Sequence, residues 1–375
     1  MKKILVTLSI LLIIVAIYGI GIGASNANKK ERKLTAIAEQ HREEGVTEGT
    51  KILSLNVYEN LMQKRDINAL VIGDSIGQSN GASNENSKWF NLIAKDVNNK
   101  YKSTMTTDLM TGGSTTGVRG WVELNNADAT KKYDIAFMCF GQKDQWSVTP
   151  KQFGVFYESI IIKLKKTNPN IEIIPIIESS FREYNEYSSV IKELSKHYNL
   201  QVADTIHTFT SSNQIYENLV KDAEIPNDKG YSYYAKTIEK IIDNNYAAKK
   251  KTNINYSVLY KDANKLSKFV FNKTPKSNNG FTINDEIVGG ELSNSVTFDT
   301  TKSVAIIHYL RQPNGGKFKI YLDGNLVKEV DTNSTYKASY SELISDNLEG
   351  GHKIKIQVSS INKGGTVKIL GLATN

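Results

Sequence analysis

The chain has 375 residues and carries 47 Lys and Arg against 39 Asp and Glu, a formal net charge of +8 at pH 7. Its 39% hydrophobic content supports globular domains and excludes a chain disordered throughout. The lone cysteine, Cys139, excludes an intramolecular disulfide framework and a cysteine-based metal site, and its apolar neighbours point to a packing role. The basic residues are scattered, without a stripe of interleaved aromatics, which argues against nucleic acid as a partner.

Lys2 and Lys3 precede an uncharged run, residues 4–23, of about 20 residues, enough to cross a bilayer. Positive charge ahead of the run favours a cytoplasmic N-terminus and an exported remainder. The expectation is a single-pass anchor over residues 1–23 in a bacterial cell membrane, with the bulk of the chain extracytoplasmic. Cleavage near Ser25–Ala27 would make the protein secreted instead. Residues 24–66 are polar and read as a juxtamembrane stalk, partly helical.

From 67 to 250 apolar strands alternate with amphipathic helices. Strands are predicted at 67–75, 104–113, 133–142, 171–180 and 200–205, and helices at 87–101, 149–170, 186–199 and 229–246. Short continuous apolar strands between helices mean a parallel sheet covered on both faces, a three-layer, flavodoxin-like α/β domain. After residue 250 the period becomes two. The segment "KFKIYLDGNLVKEV" (317–330) alternates about Asp323-Gly324, a hairpin signal, and "HKIKIQV" and "TVKILGL" are further strands. Residues 254–375 therefore read as an all-β sandwich accessory domain.

In a parallel α/β sheet, ligands bind beyond the carboxyl ends of the strands. Those ends carry Gly73-Asp74-Ser75, then Gly112-Gly113-Ser114, then Gly141-Gln142-Lys143-Asp144. A fourth segment before the last helix reads "DAEIPNDKGY", from Asp222 to Tyr231. Four such blocks in this order resemble the SGNH (GDSL-type) hydrolases over about residues 67–247. The resemblance implies ester chemistry, often on O-acetyl groups of polysaccharides, with no metal or organic cofactor. It makes Ser75 the nucleophile and one oxyanion donor, Gly113 the second donor with Gly112 as runner-up, and Asp222 the acid that orients the base.

Two positions depart from the family pattern. Ile225 stands where the family has its catalytic His, and Lys143 where it has an oxyanion Asn. Isoleucine cannot accept a proton, so Ser75 lacks its usual base. Lys143, its pKa lowered by burial, would serve as base in a Ser–Lys arrangement. Alternatively it stays charged, pairs with Asp222 or Asp74, and plugs a silent site. His207, after a strand, is the one histidine that could be a relocated base. Trp121 and Trp146 follow the second and third blocks and suit either sugar stacking at a pocket rim or core packing.

The β domain resembles the small sandwiches that accompany carbohydrate-active esterases. The expected partner is thus an acylated polysaccharide or cell-wall glycan. Two functions stay open: ester hydrolysis or acyl transfer, and a catalytically silent glycan-binding or envelope-assembly protein.

Overall fold

The computed structural model describes residues 55–112, 115–128, 130–251 and 257–375, and residues 55–375 form one compact unit. The expected anchor, residues 1–23, and the stalk as far as residue 54 lie outside the described residues. Among the described residues no helix is long and apolar enough to cross a membrane.

Helix α1 (Val57–Met62) lies inside the expected stalk, yet it is part of the folded unit. Its Asn56 cap accepts from Tyr58 and Glu59 backbone N–H, and Val57, Tyr58 and Leu61 are buried in the α/β core. The stalk expectation is corrected at this end: apolar spacing in "VYENL" gives the segment a face to bury.

The α/β domain follows the predicted alternation. It comprises β1 (Ile67–Gly73), α2 (Trp89–Tyr101), β2 (Met105–Thr111), α3 (Gly117–Asn126) and β3 (Ile135–Cys139). These are followed by α4 (Pro150–Thr167), β4 (Glu172–Ile177), α5 (Glu186–His197), β5 (Ala203–Asp204), α6 (Thr205–Thr210) and α7 (Asp228–Ala247). The parallel sheet has the order β2-β1-β3-β4-β5. Alternate residues of β1 serve opposite faces: Leu70 and Ile72 join the cluster under α3, α4 and α5, and Ala69 and Val71 the cluster under α1, α2 and α7. Helix α4 starts where its sequence predicts, with Thr149 as a capping box and Pro150 in the first turn.

The strands end in register. Gly73 pairs with Thr111 and with Cys139, and Cys139 with Ile176. The residues that follow these positions therefore emerge side by side along one edge of the sheet.

The C-terminal domain is the expected antiparallel sandwich. One sheet runs β13 (Asn325–Asp331), β12 (Lys317–Leu322), β15 (His352–Ser360), β10 (Ser295–Thr300), β7 (Ser277–Asn279). The other runs β14 (Ala338–Ser345), β11 (Ala305–Arg311), β16 (Val367–Thr374), β9 (Ile287–Gly289), β8 (Thr282–Ile283), and β6 (Val270–Asn272) also pairs with β16. The β12–β13 hairpin turns at Asp323 and Gly324, with φ of 52° and 85°, the left-handed pair that a two-residue turn needs. Tyr309 and Phe318 meet edge to face in its core, 5.3 Å apart.

The two domains share a core. Val304, Ile306 and Ala373 of the sandwich belong to the same apolar cluster as α3 and α4. Trp121 lies in this seam, 1% exposed, its ring 5.0 Å from Phe269 and 5.8 Å from Phe156. Of its two sequence readings this overturns sugar stacking and leaves core packing: α3 carries it into the domain junction.

The linker is clamped by a buried carboxyl group. Glu158, fully buried on α4, accepts from Leu259 N–H and Tyr260 N–H and from the Tyr198 hydroxyl, each at 2.7 Å. Glu158→Ala leaves three donors unpaired, the Tyr198 hydroxyl buried and the two N–H groups partly so, and is expected to lower the unfolding free energy by about 3 kcal/mol. Urea denaturation of the two proteins checks this, and the linker near Tyr260 should become sensitive to limited proteolysis.

Candidate active site

The residues beyond the strand ends stand on buried carboxyl groups. Asp74 Oδ1 accepts from Ile76 N–H at 2.8 Å and from Gly77 N–H at 3.4 Å, which shapes the Gly-Asp-Ser turn. Asp144 accepts from Gly117 N–H at 2.8 Å and from Gly141 N–H at 3.1 Å, joining the second loop to the third. Glu178, just past β4, accepts from Gln142 N–H at 2.9 Å and from the Cys139 thiol at 3.2 Å.

All three carboxyl groups are fully buried. Burial raises Asp74 to about 6, against the bonds from Ile76 and Gly77, and Asp144 to about 7, against the bonds from Gly117 and Gly141. It also pushes Glu178 well above the ordinary glutamate range, with Asp74 adding to the rise. Asp74 Oδ2 receives no N–H, and the Glu178 carboxyl lies beside it. A proton shared between the two satisfies that oxygen and avoids two buried charges. The ligating atoms of Asp74, Cys139 and Glu178 lie within 4.8 Å of one another. They form the one candidate cation group among the described residues, and a proton shared by the two carboxyl groups would account for their approach.

Ser75 opens onto a cleft of about 490 Å³. Gln78 and Asn80 of its own turn line it, as do Thr111 and Gly112 from the end of β2, Arg119 from α3, and Ile225. The opposite wall is Tyr336, Lys337 and Ala338, contributed by the sandwich domain. A Cβ at Gly112 would come 2.9 Å from both Arg119 Nη1 and Thr115 Oγ1, so a larger residue there would displace those side-chain ends. Gly113, the first choice for oxyanion donor, lies outside the described residues. The Ser75 hydroxyl oxygen is buried and has no hydrogen-bond partner among the described residues.

The base position is filled by an apolar side chain: Ile225 lines the same cleft as Ser75. Asp222 is exposed, and its Oδ1 accepts from Glu224 N–H at 3.2 Å and Ile225 N–H at 3.0 Å, closing its own loop. With no imidazole to orient, its carboxylate does the work of a turn residue.

Lys143 is not paired as expected. Its Nζ meets Glu224 at 2.6 Å rather than Asp222 or Asp74. Burial acts to lower the ammonium's pKa, but the Glu224 carboxylate, reinforced by Asp74 and Glu178, outweighs it, and the net direction is upward. Lys143 is therefore a charged donor tying the third loop to the fourth, which corrects its reading as a neutral base. His207 is exposed on α6 and outside the cleft lining, so it is no substitute. Trp146 is 76% exposed, on a single 3₁₀ turn after β3, and does not line the cleft itself.

Several residues that line the cleft or lie beneath it escaped the sequence reading. Glu178 had a usable signal, as an acidic residue at a strand's carboxyl end. Arg119 had a weaker one, in the first turn after a glycine-rich loop. Tyr336 and Lys337 had none, because they reach the cleft from another domain.

Arg119 is held from behind by that domain. Its Nε and Nη2 donate to Ser339 Oγ at 3.0 and 2.8 Å, its Nη1 donates to Thr115 Oγ1, and Ser339 donates to Glu123 at 2.7 Å. His308, buried beside Glu123, is lowered to about 4 by that burial, with Arg119 pushing the same way.

The comparisons agree with this geometry. Residues 71–233 match the profile of the GDSL-like lipase/acylhydrolase family. The α/β domain is similar to that family, the SGNH hydrolases. No curated protein matches the chain by sequence. Among solved structures, the chain is similar to a two-domain esterase, CEX, active on acetylated mannans. The TM-score is 0.70 at 14% identity, covering 85% of this chain and 93% of that one. The same esterase co-crystallised with mannopentaose gives 0.71 at 14% identity, over 85% and 94%. At this identity the likeness is one of fold, and it spans both domains.

The buried carboxyl groups set a pH dependence. Folded Asp74 and Asp144 titrate at about 6 and about 7 against ordinary values of 3.8, so the folded state keeps protons that the unfolded chain releases. Their stabilisation is complete below about pH 4 and is lost as pH rises through 6 to 7. His308 opposes them: it titrates at about 4 when folded against 6.5, and its contribution is lost as pH falls between those values. In Glu178→Gln the amide donates to Asp74 Oδ2, and Asp74 ionises without a shared proton. The urea midpoint of this variant is expected to fall less than the parent's between about pH 4.5 and 7.5. Equal slopes would show that the pair does not share a proton.

Proposed function

We propose that this is an extracytoplasmic SGNH-fold protein of the cell envelope that holds acylated, chiefly O-acetylated, polysaccharide in the Ser75 cleft, with ester turnover lost or residual. The observation that carries this reading is the base position. Ile225 occupies it, and Lys143 is held charged by Glu224 at 2.6 Å. A serine hydroxyl needs a group to take its proton, and such a group contributes roughly 10²–10⁴-fold. The family's oxyanion Asn is lost at the same time.

Polysaccharide as the ligand is supported by the retained cleft between two domains, by the exposed Trp146 as a stacking surface beyond it, and by the fold shared with an esterase active on acetylated mannans. The apolar leader at residues 4–23 would anchor the protein at the outer face of a bacterial membrane. Ester hydrolysis or acyl transfer through Ser75 is the competing reading, and it draws on the retained nucleophile position and glycine loop.

The test is acetate release from O-acetylated mannan, with p-nitrophenyl acetate alongside, by the purified full-length protein. The parent is expected to match Ser75→Ala. Combining Lys143→Asn with Ile225→His is expected to raise turnover by about 10²-fold. Parent activity that Ser75→Ala abolishes would sink the silent reading and leave the esterase.

A further inference from the structure

The cleft is rich in donors and poor in acceptors of charge. Arg119 and Lys337 line it from opposite domains, Gln78 and Asn80 add amides, and no carboxylate is among its lining residues. Both cations have acidic partners, but these stand behind them: Glu123 lies 3.4 Å from Arg119 Nη2, and Glu286 lies 3.5 Å from Lys337 Nζ. These distances are longer than the about 2.7–2.9 Å of a saturated charge-assisted bond. Glu286 is also shared, since Lys368 holds it at 2.7 Å. Arg119 Nη1 spends one N–H on Thr115 and lies against Gly112, the glycine that lines the cleft. Its second N–H has no partner among the described residues.

From this arrangement we infer that the cleft selects an anionic glycan, one bearing carboxylate or phosphate groups, with Arg119 and Lys337 as the residues that read the charge. The inference rests on the polysaccharide reading above and narrows it. A neutral acetylated mannan would leave two partly desolvated cations facing hydroxyl and ester oxygens. A sugar carboxylate or phosphate supplies a closer acceptor than the carboxylates at 3.4 and 3.5 Å. Arg119 is buried and locked by Ser339, so it meets a planar or tetrahedral oxyanion without losing side-chain freedom. Lys337, half exposed on the facing wall, closes on the same group from the other domain.

Binding of the full-length protein to three polymers tests this: O-acetylated polygalacturonate for carboxylate, a phosphomannan for phosphate, and O-acetylated mannan as the neutral reference. At least one anionic polymer should bind about tenfold more tightly than the neutral one, the worth of one charge-assisted hydrogen bond. Lys337→Gln, at a surface position, should remove most of that preference, and Arg119→Met should do the same. Lys240→Gln, exposed on α7 and outside the cleft lining, should leave it unchanged. Competition by galacturonate or mannose 6-phosphate, but not by galactose or mannose, would separate the two anions. Equal binding of the neutral polymer, or an equal loss in Lys240→Gln, overturns the inference while the cleft remains a glycan site. Binding to none of the three overturns the glycan reading and this inference with it.

Discussion

Backbone N–H groups at the ends of a buried parallel sheet must find acceptors, and here buried carboxyl groups supply them. Asp74 serves the first loop, Asp144 joins the second to the third, and Glu178 holds the third from beneath. The acceptors are costly to bury, as the upward displacement of all three acids records. They persist because an unpaired buried N–H costs as much and would let the loops move. The first three strand-end loops are positioned from this floor, including the Ser75 turn.

On that floor the molecule has kept the shape of a hydrolase site and lost its proton acceptor. The fourth loop is still tied down, now by Lys143 and Glu224, by the Asp222 turn, and by Asp228, which accepts from Ser83 N–H at 2.7 Å. The replaced Asn and the replaced His are thus physically linked. The lysine at the first position pairs with the residue just before the second, and a structural ion pair stands where a catalytic relay would run. The sandwich domain is part of the same construction. Its Ser339 fixes Arg119, and its Tyr336 and Lys337 complete the cleft wall.

Much of this was legible in the residues. The alternation of apolar strands and helices located the α/β domain, and the period-two pattern about Asp323-Gly324 located the sandwich. Ser75, Gly112 and Ile225 were expected together at the strand ends and do line one cleft. Trp121 was not legible, because its helix position suits a rim or a core equally and only the docked sandwich buries it. Lys143 was misread for a related reason. The sequence brings Asp74 and Asp222 to mind as partners, but Asp222 is engaged by its own loop, and Glu224 is the carboxylate within reach.

By itself the sequence determined the elements, the family motifs and the loss of the histidine, because periodicity, turn residues and side-chain chemistry are local properties of the chain. Tertiary structure decided the charge of Lys143, the approach of the buried Asp74 and Glu178 carboxyl groups, and the second wall of the cleft. Those depend on which groups meet across about 80 to more than 250 residues of chain, and on how much water is left between them.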